Sequence, residues 1–298
     1  MGTLRTLWQR APWWRFFLLL GMLCLGLTIF YPTHWLKQRL PWLPGQDHFT
    51  RMPVSSRQEE NHNGQGQILL PDMQASFSDH IPLAGHLLPL PEGQWHPILQ
   101  TSEDGPDAVT FIALARFDHS VVTGLITAQF SQQALPPILA DNMLNPCHDD
   151  RNYLSSIRNA PGQVNCTFLA NALMADDIVS LNPFIHTAIS RIREAGLLLP
   201  PLMITVGWRH IAPLPAGQVA GATVDILLAP MEKGTPRLLA PIDHWDKDIL
   251  SKDPAAEAFI NKTKEWLPLW SNLLTEGYNN TLPPVTSRGG KYDPASSQ

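Results

Sequence analysis

Two pairs of adjacent acidic residues are the strongest candidates for metal chemistry in this sequence. Asp149 and Asp150 follow Cys147-His148, and Asp176 and Asp177 form the second pair. Paired carboxylates can hold Mg²⁺ or Mn²⁺ against a phosphorylated substrate, whereas zinc sites use short fixed spacings such as CxxC or HExxH, which this sequence lacks. The candidate metal ligands are His148, Asp149, Asp150, Asp176 and Asp177. Adjacent acids are also common in ordinary loops, so a metal-dependent hydrolase or transferase is the alternative interpretation of the chain.

Cys147 and Cys166 form the second group with chemical potential. They are the two cysteines outside the apolar N-terminal run, and an even pair predicts a disulfide in an oxidising compartment. Closing a loop of about 20 residues removes chain entropy worth roughly 3 kcal/mol from the unfolded state. Because the spacing is far from CxxC, we expect a structural bridge and not a redox-active pair.

Local signatures of nucleophilic catalysis are missing. The sequence has no GxSxG elbow and no SxxK motif, although a triad assembled from distant residues stays open. His210, after Trp208-Arg209, and His244, before Trp245, are the histidines with both aromatic and charged neighbours. They support a third hypothesis, capture of a small ligand between a sheet and the loops that carry them.

Composition limits the partners that such sites could serve. The 298 residues include 21 Lys+Arg and 26 Asp+Glu, so the formal net charge is −5. A surface of this charge releases few counterions from phosphate, which excludes nucleic acid as the expected partner. With 44% hydrophobic and 16% charged residues the chain is expected to fold.

The N-terminus carries the strongest positional signal. Residues 16–36 contain no charge, and about 20 apolar residues suffice for a helix to cross the hydrocarbon. Residues 1–15 contain three arginines and no acid, which predicts a short cytoplasmic segment. A cleaved signal peptide is the competing interpretation, but no small-x-small site follows the apolar run. The sequence therefore predicts a retained signal-anchor helix over 16–36 with the rest of the chain exported.

Residues 37–92 are rich in proline and polar residues and are expected to form a connector. The functional interpretation is a stalk that holds the domain off the bilayer. The alternative is that residues 68–90 lie over the domain as an ordered extended arm. At the other end, residues 279–298 are expected to be a disordered tail.

Residues 93–278 carry the strand and helix patterns of a folded domain. Two apolar runs, 109–117 and 121–130, predict an antiparallel hairpin, and 202–211 with 222–229 predict a second one. Residues 165–174 are a candidate third strand.

Two helices are predicted from their capping residues. Asn182 and Pro183 start the first helix, which Gly196 ends. Asp253 caps the second, which runs to about Glu276, with a kink or break expected at Pro268. An apolar stripe follows one side of the second helix, formed by Phe259, Trp266, Trp270 and Leu273. This stripe either packs on the sheet or docks a protein partner.

Together these elements predict an α+β fold, a mostly antiparallel sheet with helices on one face, preceded by a single N-terminal transmembrane helix. The plan resembles bacterial bitopic envelope proteins and eukaryotic type II enzymes of the secretory pathway. We expect a single-pass protein of the cell inner membrane with a periplasmic or extracellular C-terminal domain. The predicted function is that of a non-catalytic accessory or scaffold protein of a membrane-associated envelope complex. It would contact the membrane through residues 16–36, bind one or more envelope proteins through the domain, and need no cofactor.

Overall fold

A computed structural model describes residues 67–102, 109–131, 134–135, 137–160, 163–174, 183–214, 218–233, 235–284 and 290–296, together with Gly21. Apart from Gly21, the predicted membrane span lies outside the described residues, as does the predicted connector up to residue 66. Within the described part of the chain, no helix is both long and apolar enough to cross a membrane.

Ten strands and three α-helices make up the described domain. The strands are β1 (Gln67–Leu69), β2 (His80–Leu83), β3 (His86–Pro89), β4 (His96–Ser102), β5 (Val109–Asp118), β6 (Val121–Ser131), β7 (Leu154–Ala160), β8 (Gln163–Leu173), β9 (Leu202–Pro213) and β10 (Val219–Leu228). The helices are α1 (Pro137–Met143), α2 (Pro183–Glu194) and α3 (Pro254–Tyr278), with 3₁₀ turns at Asn145–His148, Ile242–Trp245 and Leu250–Lys252.

Eight of the strands form one antiparallel sheet in the order β1-β4-β5-β6-β10-β9-β8-β7, and β2 and β3 form a separate hairpin. The predicted hairpins are β5–β6 and β9–β10, and the candidate third strand lies within β8 except for Met174. The mostly antiparallel sheet expected from the sequence is therefore confirmed.

The helices cover both faces of this sheet. Ile112 and Leu114 of β5 pack in one core with α3, whereas Phe111 and Ala113 of the same strand pack in a second core with α2. Because side chains alternate across a strand, these two sets point to opposite faces. The prediction that the helices lie on one face was wrong, since strands with apolar residues on both sides need a cover on each.

The two long helices begin as their sequences predict. Pro183 is the first residue of α2, and Gly196 follows that helix with a φ of +74°. The Asp253 carboxylate caps α3 by accepting hydrogen bonds from the backbone amides of Ala255 and Ala256. Of the kink or break expected at Pro268, the break does not occur, because α3 continues through Pro268 as one helix.

Residues expected to form a connector are part of the sheet and its cover. β1 pairs with β4 along Gln67–Leu69, and the β2–β3 hairpin packs against α3, where Gly277 contacts the backbone at Leu87. This is the ordered-arm alternative for residues 68–90, so the folded domain includes residues before residue 93.

The expected disordered tail, residues 279–298, also contains residues that belong to the folded domain. The described residues 290–296 of the expected tail are anchored to the domain, and Asp293 is only 1% exposed.

Candidate binding groove

Cys147 and Cys166 lie at disulfide distance, as the sequence predicts. Their Cα atoms are 6.3 Å apart, and the bridge joins the 3₁₀ turn Asn145–His148 to β8. Both cysteines are buried with Phe168 in a small apolar cluster of their own. The bridge therefore fixes the chain before β7 to the strand beside it.

The candidate metal ligands gain no support from the geometry. Arg151 donates to both carboxylate oxygens of Asp149, at 2.9 Å and 2.6 Å, and these bonds lower the pKa of Asp149 to about 2. His148 and Asp150 are exposed. Among the described residues no group of three or more His, Cys, Asp or Glu side chains could hold a metal ion. Asp176 and Asp177 lie outside the described residues.

The apolar stripe of α3 belongs to the core. Phe259, Trp266, Trp270 and Leu273 are 2%, 5%, 1% and 4% exposed and pack in the cluster that covers the sheet. These four candidates for partner docking are therefore core residues, because a partner cannot reach side chains that already contact the sheet.

His244 has a local structural role. It lies in the 3₁₀ turn Ile242–Trp245, and its Nδ1 is 3.0 Å from Oδ2 of Asp253, the residue that caps α3. The bond to His244 is the main cause of the lowered pKa of Asp253. This contact joins the turn to the helix start.

His210 lies within strand β9 and not in a loop, and its side chain is buried. Its Nδ1 is 2.5 Å from Oδ1 of Asn165, and its ring is parallel to that of Trp208, with centroids 5.4 Å apart. Burial, helped by the neighbouring His86, lowers the pKa of His210 to about 4. The ring is therefore neutral at pH 7, and Nδ1–H donates to Asn165. Nε2 has no hydrogen-bond partner among the described residues.

Rows of side chains cross β7, β8 and β9 next to His210. One row joins Ser156, Thr167 and Trp208, and the next joins Arg158 and Asn165 to His210. The hydrogen bond from His210 fixes the orientation of the Asn165 amide in this second row. The three strands thus present hydroxyl, amide and guanidinium groups around the indole of Trp208.

A groove of about 400 Å³ lies between these rows and α3. Its lining residues are Leu154, Ser156 and Arg158 of β7, Asn165 and Thr167 of β8, Trp208 of β9, and Leu267, Pro268, Ser271, Asn272 and Thr275 of α3. Pro268 has no amide hydrogen, so the helix wall contains one interrupted backbone hydrogen bond at this point.

Strand β7 forms the outer rim of the groove. It is the last strand of the sheet, and β8 is its only strand neighbour within the described ranges. Leu154, Ser156 and Arg158 point into the groove from alternate positions. The side chain of Arg158 is exposed and makes no hydrogen bond or ion pair with any described residue. Within the described ranges, the rim therefore offers a strand edge and a cation without a partner.

These groups suit binding better than a chemical step. The backbone edge can pair with an extended chain, the hydroxyl and amide groups can accept or donate hydrogen bonds, and Arg158 can bind a carboxylate. Sequence reasoning missed the groove because Leu154–Ala160 lies in a polar stretch between the two cysteines. The alternation of Leu154, Ser156 and Arg158 was the available signal.

No protein-family model matches this chain, and no curated protein or solved structure shows significant similarity to it.

Proposed function

We propose that this protein is a non-catalytic accessory or scaffold protein of a membrane-associated envelope complex. Its domain binds an extended segment of a partner protein, which adds to β7 as a further strand. The observation that carries this proposal is the edge of β7, which is unpaired among the described strands, beside a groove lined by side chains of that same strand.

Strand addition uses both features of the site. The backbone amides and carbonyls along the edge of β7 that no described strand pairs would supply affinity, and pockets for alternate side chains would supply specificity. An incoming strand would also alternate, so every second side chain would point into the groove. The groove can accept a side chain of moderate size near Ser156. Arg158, whose side chain has no partner in the part of the chain that the structure describes, favours a carboxylate at the neighbouring position.

The membrane location comes from the sequence of residues 16–36. An apolar segment of this length would tether the domain to the inner membrane as a single-pass anchor. The Cys147–Cys166 bridge supports a domain on the oxidising, periplasmic or extracellular side. A tethered domain with a binding groove would hold its partner close to the membrane.

The test compares two substitutions at neighbouring positions of β7. Ser156→Phe fills the groove, whereas Ser155→Phe adds the same bulk at an exposed position that does not line the groove. Tagged full-length wild type and both variants are isolated from native membranes in mild detergent, and companion proteins are quantified by mass spectrometry.

We expect a defined set of stoichiometric companions with wild type and with S155F. With S156F, the recovery of one companion should fall at least about ten-fold, which corresponds to a loss of roughly 1.4 kcal/mol of binding free energy. Equal recovery of every companion with S156F and S155F would contradict binding in the groove. Isolation of a lone chain would contradict the accessory function itself.

A further inference from the structure

Asp293 is bound by Arg116 at a site that shares no lining residue with the groove. Arg116 Nη1 lies 2.6 Å from Oδ2 of Asp293, and Nη2 lies 3.0 Å from Oδ1. The arginine side chain is 8% exposed and the aspartate side chain 0%. These two residues are 177 positions apart, so the contact attaches the 290–296 segment to strand β5.

The surroundings of Arg116 hold its guanidinium ready for a carboxylate. The group lies over the ring of Trp95, 4.9 Å from its centroid. It also donates to the carbonyl oxygen of Glu92 at 2.7 Å and to Oγ1 of Thr123 at 3.2 Å. A planar guanidinium fixed in this way presents two parallel N–H groups, the geometry that carboxylates bind best.

Two glycines make room for this contact. A Cβ at Gly93, where φ is +121°, would lie 2.5 Å from Cδ of Arg116. Gly290 has a φ of +78°, and a Cβ there would lie 2.9 Å from Cβ of Leu269 and 3.0 Å from the backbone of that residue. Larger residues would displace Arg116 from one side and the 290–296 segment from the other.

Asp293 makes the side-chain ion pair of the 290–296 segment, in which Pro294 is also buried and Ala295 packs against the main core. Besides the two bonds of Asp293 to Arg116, Trp266 Nε1 donates to Gly290 O and the amide of Glu92 donates to Lys291 O. Asp293 Oδ1 also accepts from the amides of Ala295 and Ser296 and so shapes its own turn. Tyr292 is 64% exposed. Removal of the Asp293 charge would therefore take away the ion pair that joins the segment to Arg116.

The turn that Asp293 forms also borders open space. Ala295 and Ser296 line an open cleft of about 580 Å³ that extends to the β5–β6 turn at Asp118–Ser120.

We propose that Arg116, Trp95 and the Glu92 carbonyl form a receptor for an aspartate-bearing turn. The 290–296 segment occupies this receptor as an exchangeable ligand, so the same segment of a second copy of the chain can bind in its place. The internal segment has the advantage of an effective concentration of order millimolar. Exchange is therefore expected to become measurable once the internal segment is weakened.

The probe is a fluorescein-labelled synthetic peptide with the sequence of residues 288–298, and binding is followed by fluorescence anisotropy. The full-length chain is used as wild type and as three variants. Asp293→Asn removes the internal carboxylate charge, and Gly290→Ala displaces the internal segment while keeping that charge. Asp118→Asn is the matched control, since it removes an exposed carboxylate beside the same cleft.

We expect D293N and G290A to bind the peptide at least about ten-fold more tightly than wild type and D118N do. A peptide with Asn in place of Asp293 should bind D293N at least about 100-fold more weakly, since a buried arginine would keep no charged partner. Equal binding to all four chains, or equal binding of both peptides, would overturn the receptor. Failure of both D293N and G290A to fold would overturn exchange, because the segment would then be an essential part of the core.

Discussion

Gly277→Ala tests whether the β2–β3 hairpin belongs to the folded domain. Gly277 lies in the last turn of α3, and a Cβ at this position would overlap the Leu87 carbonyl oxygen and lie 2.9 Å from Cδ of Pro89. Helix propensity alone favours alanine over glycine by about 1 kcal/mol. Overpacking costs about 1–3 kcal/mol, and the upper end applies because a backbone carbonyl cannot move aside as a flexible side chain can.

The two opposing effects predict that Gly277→Ala lowers the free energy of unfolding by about 2 kcal/mol. The assay is urea unfolding of the full-length chain in one detergent, with the midpoint compared at unchanged m-value. Glu265→Ala, at an exposed position of α3, is the control and should change stability by no more than about 0.5 kcal/mol. If G277A is as stable as wild type or more stable, propensity decides the result and the hairpin does not pack at Leu87.

Three further predictions concern the bridge, the buried histidine and the groove. Replacing Cys147 and Cys166 by Ala should lower the free energy of unfolding by about 3 kcal/mol in urea titrations, with no further loss on adding reductant. The pKa of His210 falls from an ordinary 6.5 to about 4 on folding. As the pH falls, the unfolded chain therefore takes up a proton at this residue before the folded chain does. Stability should decline as pH falls from 6.5 toward 4, and H210Q should flatten that decline in pH-dependent unfolding. Arg158→Glu should reduce companion recovery from membranes, whereas Arg237→Glu, at an exposed loop residue, should not.

Elements with a strong local pattern could be predicted from the sequence. The apolar runs around Phe111 and Val206 gave both central hairpins, and Pro183 and Asp253 marked the helix starts. The Cys147–Cys166 pair followed from the even number of cysteines outside the apolar N-terminal run and from the expected oxidising compartment. Each of these signals lies within a short stretch of sequence or depends on few residues.

Features that depend on distant residues could not be predicted in the same way. Arg116 and Asp293 are far apart in sequence, and neither carries a local sign of its partner. The stripe at Trp266 and Trp270 is equally compatible with core and with docking until the strand it covers is known. Strand β7 is polar because it lies at the edge of the sheet and is exposed to solvent. Its composition therefore resembles that of a loop.

The groove itself arises from strand order. Ser156 and Trp208 belong to one row because β7, β8 and β9 are neighbours, and α3 covers that row from much later in the chain. A single sequence shows the strands but not their order.

The central claim is that a partner adds a strand to β7. Hydrogen exchange of the full-length protein, measured with and without its purified companion, tests this most directly. We expect amides within Leu154–Ala160 to exchange more slowly in the complex, and we expect Ser156→Phe to abolish this change. A companion that binds while exchange across Leu154–Ala160 stays the same would contradict it.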